Sequence, residues 1–172
     1  MEKVIVTGGA GYVGSHVCRA LAGHGYEPVC VDTLENGHRW AVRWGPLETV
    51  DTRDETGLAA VFRAHRPIAV MHFAGYIQVG ESVRHPLAYH RNNIEGITAL
   101  LSAMRRFRVE PFVFSSTAAV YGVPDTTPIP ETHPVRPTNP YGASKAAGER
   151  ILFDLSAAGG IRAVALRYFN AA

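Results

Sequence analysis

Val4-Ile5-Val6 runs directly into Thr7-Gly-Gly-Ala-Gly-Tyr-Val-Gly14, and an amphipathic stretch follows. A short β-branched run that ends in glycines and opens a helix leaves few folds available. Gly8, Gly11 and Gly14 permit a tight turn in which backbone N–H groups approach a pyrophosphate at the helix N-terminus. The helix is expected from Gly11 to Gly23, with Val13, Val17, Ala20 and Leu21 on one face. Asp32 lies at the end of the next predicted strand, Glu27 to Val31. An acid there accepts hydrogen bonds from an adenosine ribose diol and repels a 2′-phosphate, which favours NAD over NADP. Its competing reading is a loop-capping carboxylate. Arg39 comes after Asp32 and does not replace it.

The same alternation of apolar strands and amphipathic helices continues along the chain. Further strands are expected at Leu47–Val50, Ile68–His72, Glu110–Ser115 and Arg162–Leu166. Helices are expected at Asp54–His65, with Leu58, Val61 and Phe62 inward, at Pro86–Phe107, and from Tyr141 to about Ala157. Strands that are apolar throughout, separated by helices, imply a parallel sheet covered on both faces. The expectation is one α/β domain over residues 1–172: a doubly wound parallel six-stranded sheet, the Rossmann fold. Ligands of such sheets sit beyond the carboxyl ends of the strands, here Thr7, Asp32, Asp51, Phe73, Ser115 and Tyr168.

Several residues past those ends are candidates for the cofactor wall. Asn36 and Gly37 are placed to complete the ribose side. Asp51-Thr52 is placed at the adenine edge, with a plain turn as the alternative for Asp51. Phe73-Ala74-Gly75 offers small residues and close backbone, or a simple turn. Asn92 in the long helix reads either as a buried bridge near the cofactor or as an ordinary polar helix residue. That helix carries Leu87, Ile94, Ile97, Leu101 and Met104, a recurrence read as core packing; the alternative is a helix-pair interface with a symmetric partner.

A chain of 172 residues with 47% hydrophobic and 19% charged residues has enough material for one full core. Its formal net charge of +2 gives no reason to expect nucleic acid or an anionic membrane as partner. Cys18 and Cys30 lack metal-ligand spacing and read as small buried hydrophobes, which fits a reducing compartment. No metal site is expected. The N-terminus shows no signal-peptide pattern, and no apolar run approaches the roughly 20 residues that span a bilayer. A soluble cytoplasmic protein is expected.

The chemistry is carried by Tyr141-Gly-Ala-Ser-Lys145. Positions four apart share a helix face. A phenol beside an ammonium is shifted toward phenolate, which makes it a usable base. Thr117, after the fifth strand, can place a hydroxyl between a substrate oxygen and that phenol. This Ser/Thr–Tyr–Lys set resembles that of the short-chain dehydrogenase/reductase superfamily. Thr7–His16, His72–Val83 with its Val-Gly-Glu-Ser-Val segment, Ser115–Gly122 and Leu166–Ala172 resemble, in order and spacing, the UDP-glucose 4-epimerase family. Related sugar-nucleotide dehydratases carry an Asp-Glu pair just after the Thr. Ala118 and Ala119 stand there, which argues against dehydration.

The resemblance implies galactose metabolism: UDP-galactose and UDP-glucose interconverted through a 4-keto sugar by an isomerase with tightly bound NAD. It implies Tyr141 as the base at the sugar 4-hydroxyl, with Lys145 lowering its pKa and holding the nicotinamide ribose. Thr117 would hydrogen-bond the transferring oxygen. It carries over cofactor contacts to Gly8, Gly11, Tyr12, Val13, Asp32, Thr33, Asn36, Gly37, Asp51, Thr52, Phe73, Ala74, Gly75, Ile77, Asn92, Ser115 and Phe169, and a nucleotide-sugar contact to Asn170. Two departures are visible. Ile77 stands where the family often has Lys, and Thr117 stands where Ser is more usual, which adds a stiffening methyl.

The resemblance covers only the family's N-terminal half. The chain stops just after the sixth strand, without the substrate domain that builds most of the uridine-diphosphate pocket. Truncation is expected to weaken or abolish turnover. A fragment and a natural short form both remain open. So do two alternatives to an epimerase: a non-catalytic NAD-binding module that dimerises through helices 86–107 and 141–157, and a relaxed-specificity NAD-dependent sugar oxidoreductase.

Overall fold

The structure is a computed structural model that describes residues 1–171. Ala172, last in the segment that carries the resemblance, lies outside the described residues. Six strands form one sheet in the order β3-β2-β1-β4-β5-β6. They are β1 (Lys3–Thr7), β2 (Glu27–Val31), β3 (Leu47–Glu48), β4 (Ala69–His72), β5 (Pro111–Ser115) and β6 (Arg162–Leu166). Every pairing is parallel; Ile5 of β1, for example, lies between Val29 and Val70. The chain winds outward from β1 to β3, then returns and winds the other way from β4 to β6. The strand order therefore reverses between β1 and β4, where open parallel sheets bind ligands.

The helices are α1 (Tyr12–Gly23), α2 (Glu55–His65), α3 (Val79–Arg84), α4 (Pro86–His90), α5 (Gly96–Arg106) and α6 (Pro140–Ala157). Local signals set their starts. Asp54 accepts the N–H groups of Thr56 and Gly57 and so caps α2. Asn139 accepts the Gly142 N–H, and Pro140 occupies the first turn of α6. On one sheet face Ile5, Val29, Val70, Phe112 and Phe114 pack with side chains from α2, α5 and α6. On the other face Val4 and Val6 pack with Cys18, Val17 and Leu21. Both cysteines are buried and unpaired with each other, and burial pushes each thiol up to about 12.

Four expectations need correction. The face of α1 is rotated: Gly14 and Cys18 are buried, whereas Ala20 is exposed. The Pro86–Phe107 helix is not uniform. A π-helical turn, Arg91–Glu95, separates α4 from α5. Its apolar recurrence is not one core stripe either: Ile97, Leu101 and Met104 are buried, but Leu87 is 60% exposed. Finally, the sheet is not covered everywhere. Val164 and Leu166 of β6 are 54% and 41% exposed, because among the described residues no helix packs on that side of β6.

Candidate active site

The glycine turn is built so that only glycine fits. Gly8 has φ +70°, and a Cβ there would come within 2.6 Å of the Ala74 backbone N. A Cβ on Gly14 would lie 2.1 Å from the Gly8 carbonyl oxygen. This packs the first turn of α1 against the end of β1 and leaves bare backbone at the groove. No side chain caps α1, and no acidic residue stands in its first turn. An anion is the natural partner of such a helix end. Tyr12 is exposed beside it, Val13 half-buried.

Asp32 stands half-buried at the end of β2. Its carboxylate accepts the N–H of Ala10 at 3.0 Å and of Leu34 at 2.9 Å. It therefore caps loops on both sides of the groove, and one lone pair on each oxygen is left for a further donor. Gly37 is forced by the same carboxylate, since a Cβ there would lie 2.8 Å from Asp32 Oδ1. Thr33 Oγ1 accepts the Glu35 N–H at 3.3 Å, and Asn36 is exposed. Asp51 is engaged in its own turn: it holds the Arg53 backbone N–H at 2.8 Å and grips the Arg53 guanidinium at 2.6–3.1 Å. That grip keeps its carboxyl below the usual range. Thr52 is buried, and its hydroxyl is pressed toward Gly96, where a Cβ would come within 2.7 Å.

Beyond β4, Ala74 donates its N–H to Thr7 Oγ1 at 3.3 Å, and that hydroxyl also bonds His72 Nδ1 at 2.6 Å. His72 is buried beside Phe112 and Phe114. Burial first, and then the Lys145 ammonium, push its pKa down to about 3. Gly75, at φ +150°, lies against Asn93, and a Cβ there would meet Lys145 Nζ at 3.5 Å. The wide π turn lets two consecutive residues reach one loop. Asn92 Oδ1 and Asn93 Oδ1 both accept the Tyr76 N–H, at 3.2 and 2.8 Å. Asn93 is the buried one, and its Nδ2 donates to the Tyr76 carbonyl and to Ser144 Oγ on α6. Sequence reasoning singled out Asn92 and missed Asn93; the doubled asparagine was the available signal. Ile77 is 65% exposed.

Thr117, Tyr141 and Lys145 come together at the carboxyl end of β5. Thr117 is buried and accepts the Ala119 N–H at 3.1 Å, starting a 3-10 turn over Ala118–Tyr121. Its hydroxyl faces the Tyr141 phenol and favours the phenolate, but burial outweighs it and raises that pKa. Tyr168 adds to the rise. Burial, Thr117 and Tyr168 are the causes of that shift, and Lys145 is not among them. Nζ turns to the sheet instead: it donates to the Ser115 carbonyl at 3.0 Å and lies 5.0 Å over the Phe114 ring. Burial lowers the Lys145 pKa to about 8.

Behind these residues runs a buried network that the sequence did not reveal. Glu149, one turn beyond Lys145, accepts Ser116 Oγ and pairs with the Arg167 guanidinium at 2.5 Å. Arg167 also donates to Tyr121 Oη at 3.0 Å. Ser115 Oγ bonds the Tyr168 hydroxyl. Phe169 and Asn170 are exposed; Phe169 lines a cleft with Tyr121, Pro128, Phe153 and Leu166, away from the glycine turn.

A reversal point lined by a glycine cradle, with Thr, Tyr and Lys at its other side, defines a dinucleotide-dependent α/β protein of the Tyr-x-x-x-Lys type. The residues present fit a dinucleotide: a bare-backbone turn for the pyrophosphate and an acid with free lone pairs for a ribose. The sequence profile of the NAD dependent epimerase/dehydratase family matches residues 4–172, and the chain belongs to that family. It is 51% identical over 171 residues to a UDP-glucose 4-epimerase of Rhizobium leguminosarum bv. trifolii, covering 99% of this chain and 52% of that one. It is 46% identical to a UDP-glucose 4-epimerase of Bacillus subtilis (strain 168), covering 97% and 52%. The UDP-glucose 4-epimerase of Brucella ovis, solved with NAD, superposes with a TM-score of 0.96 at 47% identity, covering 99% of this chain and 52% of the other. That of Thermotoga maritima, solved with UDP-glucose, gives 0.93 at 35% identity, covering 96% and 55%. The chain thus spans about half the length of the relatives it matches. Among the described residues no helix is long and apolar enough to cross a membrane, and no cluster of side chains could hold a metal ion.

Proposed function

We propose that the chain carries the cofactor-binding and catalytic part of a UDP-glucose 4-epimerase that acts on a UDP-hexose. The observation that carries this reading is the meeting of Thr117, Tyr141 and Lys145 at the end of β5, beside a turn in which only glycine fits. Ala118 and Ala119 supply no acid for elimination of water. NAD, held at the glycine turn and by Asp32, would supply a reversible hydride acceptor for the sugar. Tyr141 Oη takes the proton of the sugar 4-hydroxyl and later gives it back. Thr117 Oγ1 orients that oxygen. Lys145 Nζ, charged below a pKa of about 8, supplies a buried positive charge and a donor facing Gly75. Gly8, Gly11, Tyr12, Val13, Gly14 and Asp32 are assigned to the adenosine and pyrophosphate, and Asn170 to the sugar nucleotide.

The test is interconversion of UDP-galactose and UDP-glucose by the purified chain, compared with Tyr141→Phe. Loss of the base is expected to cost about 10²–10⁴-fold in rate. Equal rates in both proteins contradict the assignment. A second reading, an NAD-binding module without turnover, has its own support. The turn at Gly8 and Gly14 leaves room for glycine alone, whereas Asn170, the expected sugar-nucleotide contact, is exposed. NAD binding without interconversion decides for it. We also infer pairing of two copies through α5 and α6, whose shared groove is lined by Thr98, Leu101, Arg105, Ile151 and Leu155. Light scattering of Leu155→Glu against the parent chain tests this; a monomeric parent contradicts it.

A further inference from the structure

Tyr76 and Glu35 meet across the groove. The Tyr76 hydroxyl lies 3.2 and 3.4 Å from the two carboxylate oxygens of Glu35. Glu35 sits in the loop after β2, and Tyr76 in the loop after β4. Those strands flank β1 on opposite sides, so a bond between their loops spans the carboxyl end of β1, where the glycine turn lies.

The two ends of this bond differ in rigidity. Tyr76 is anchored: its N–H and carbonyl are held by the asparagines of the π turn, and its ring lies 5.5 Å from that of the buried Tyr89. Tyr89 is itself fixed, donating to Glu81 at 2.8 Å and accepting the Gln78 N–H at 3.1 Å. Glu35 is exposed, and its side chain makes no other recorded hydrogen bond or ion pair among the described residues. One end is a post and the other a latch.

On the reading that this groove holds NAD, we propose that the Tyr76–Glu35 bond is a strap across the dinucleotide bed, which must open for the cofactor to enter or leave. A strap slows both directions of exchange. A direct ligand contact slows only departure. An NAD that shuttles hydride within one cycle needs no exchange between turnovers, and a strap of this kind keeps it in place.

The test is stopped-flow fluorescence with NADH as the probe. Association is followed on mixing with the full chain, and dissociation on displacement by excess NAD. Tyr76→Phe keeps the ring against Tyr89 and removes only the hydroxyl. It is expected to raise both rate constants about tenfold, the scale of one hydrogen bond to a charged group, with a much smaller change in Kd. Glu35→Ala is expected to do the same, and the double variant to add nothing to either single one. Unchanged rates, or a rise in dissociation alone, overturn the strap while the NAD reading stands. A parent chain that binds no NADH overturns both.

Discussion

At the scale of single residues, the site depends on buried charge. Glu149 is 3% exposed, and its carboxylate is matched by Arg167 and Ser116. Removing one partner of such a pair leaves the other uncompensated, at about 3–5 kcal/mol. Glu149→Gln is expected to lower stability on that scale in urea denaturation; a loss of less than about 1 kcal/mol would contradict the network's role. His72 makes a different prediction. Its folded pKa of about 3 lies below the ordinary histidine value of 6.5. Between these values the unfolded chain binds a proton that the folded chain does not. Stability therefore rises with pH across that window, by up to about 1.4 kcal/mol per pH unit, and is lost as pH falls through it. His72→Gln is expected to flatten this dependence between pH 4 and 6. An identical slope in both proteins would contradict the burial argument. For Lys145 the window runs from about 8 to 10.5, and the sign is again a rise of stability with pH.

At the scale of elements, the glycine turn is the least tolerant. Gly14→Ala would drive a Cβ to 2.1 Å from the Gly8 carbonyl, against backbone that cannot step aside. The variant is expected to lose NAD binding at least tenfold in fluorescence titration, through displacement of α1 from β1. Parent-like affinity would contradict the cradle. This turn and the six strands were legible in the sequence, because glycine punctuation and β-branched runs are local signals. α3 was not. Its valines, Val79 and Val83, are 45% and 62% exposed, while Ser82 is buried, so its pattern is the reverse of an amphipathic helix. The π turn at Arg91–Glu95 was not legible either, since it serves the loop at Tyr76, a contact between distant parts of the chain. Tyr141-x-x-x-Lys145 spacing told which helix face the two share. It could not tell that Lys145 Nζ would bond a strand carbonyl.

At the scale of the whole molecule, the two sides of the sheet are unequally finished. β1 and β4 are each paired on both sides, whereas β6 pairs only with β5 among the described residues and leaves Val164 and Leu166 exposed, with Phe153 of α6 exposed as well. An open edge with apolar neighbours favours association with other chains. Val164→Lys is expected to reduce concentration-dependent scattering of the purified chain without changing NAD binding; unchanged scattering would contradict a role for this edge. The account as a whole requires that one groove receive a dinucleotide at the glycine turn and present its reactive end to the Tyr141 phenol. A crystal structure of the chain grown with NAD measures this directly. The account predicts the pyrophosphate over the first turn of α1 and the nicotinamide half within hydrogen-bonding reach of Tyr141 and Lys145. A dinucleotide bound elsewhere, or bound with its nicotinamide turned away from Tyr141, would contradict it.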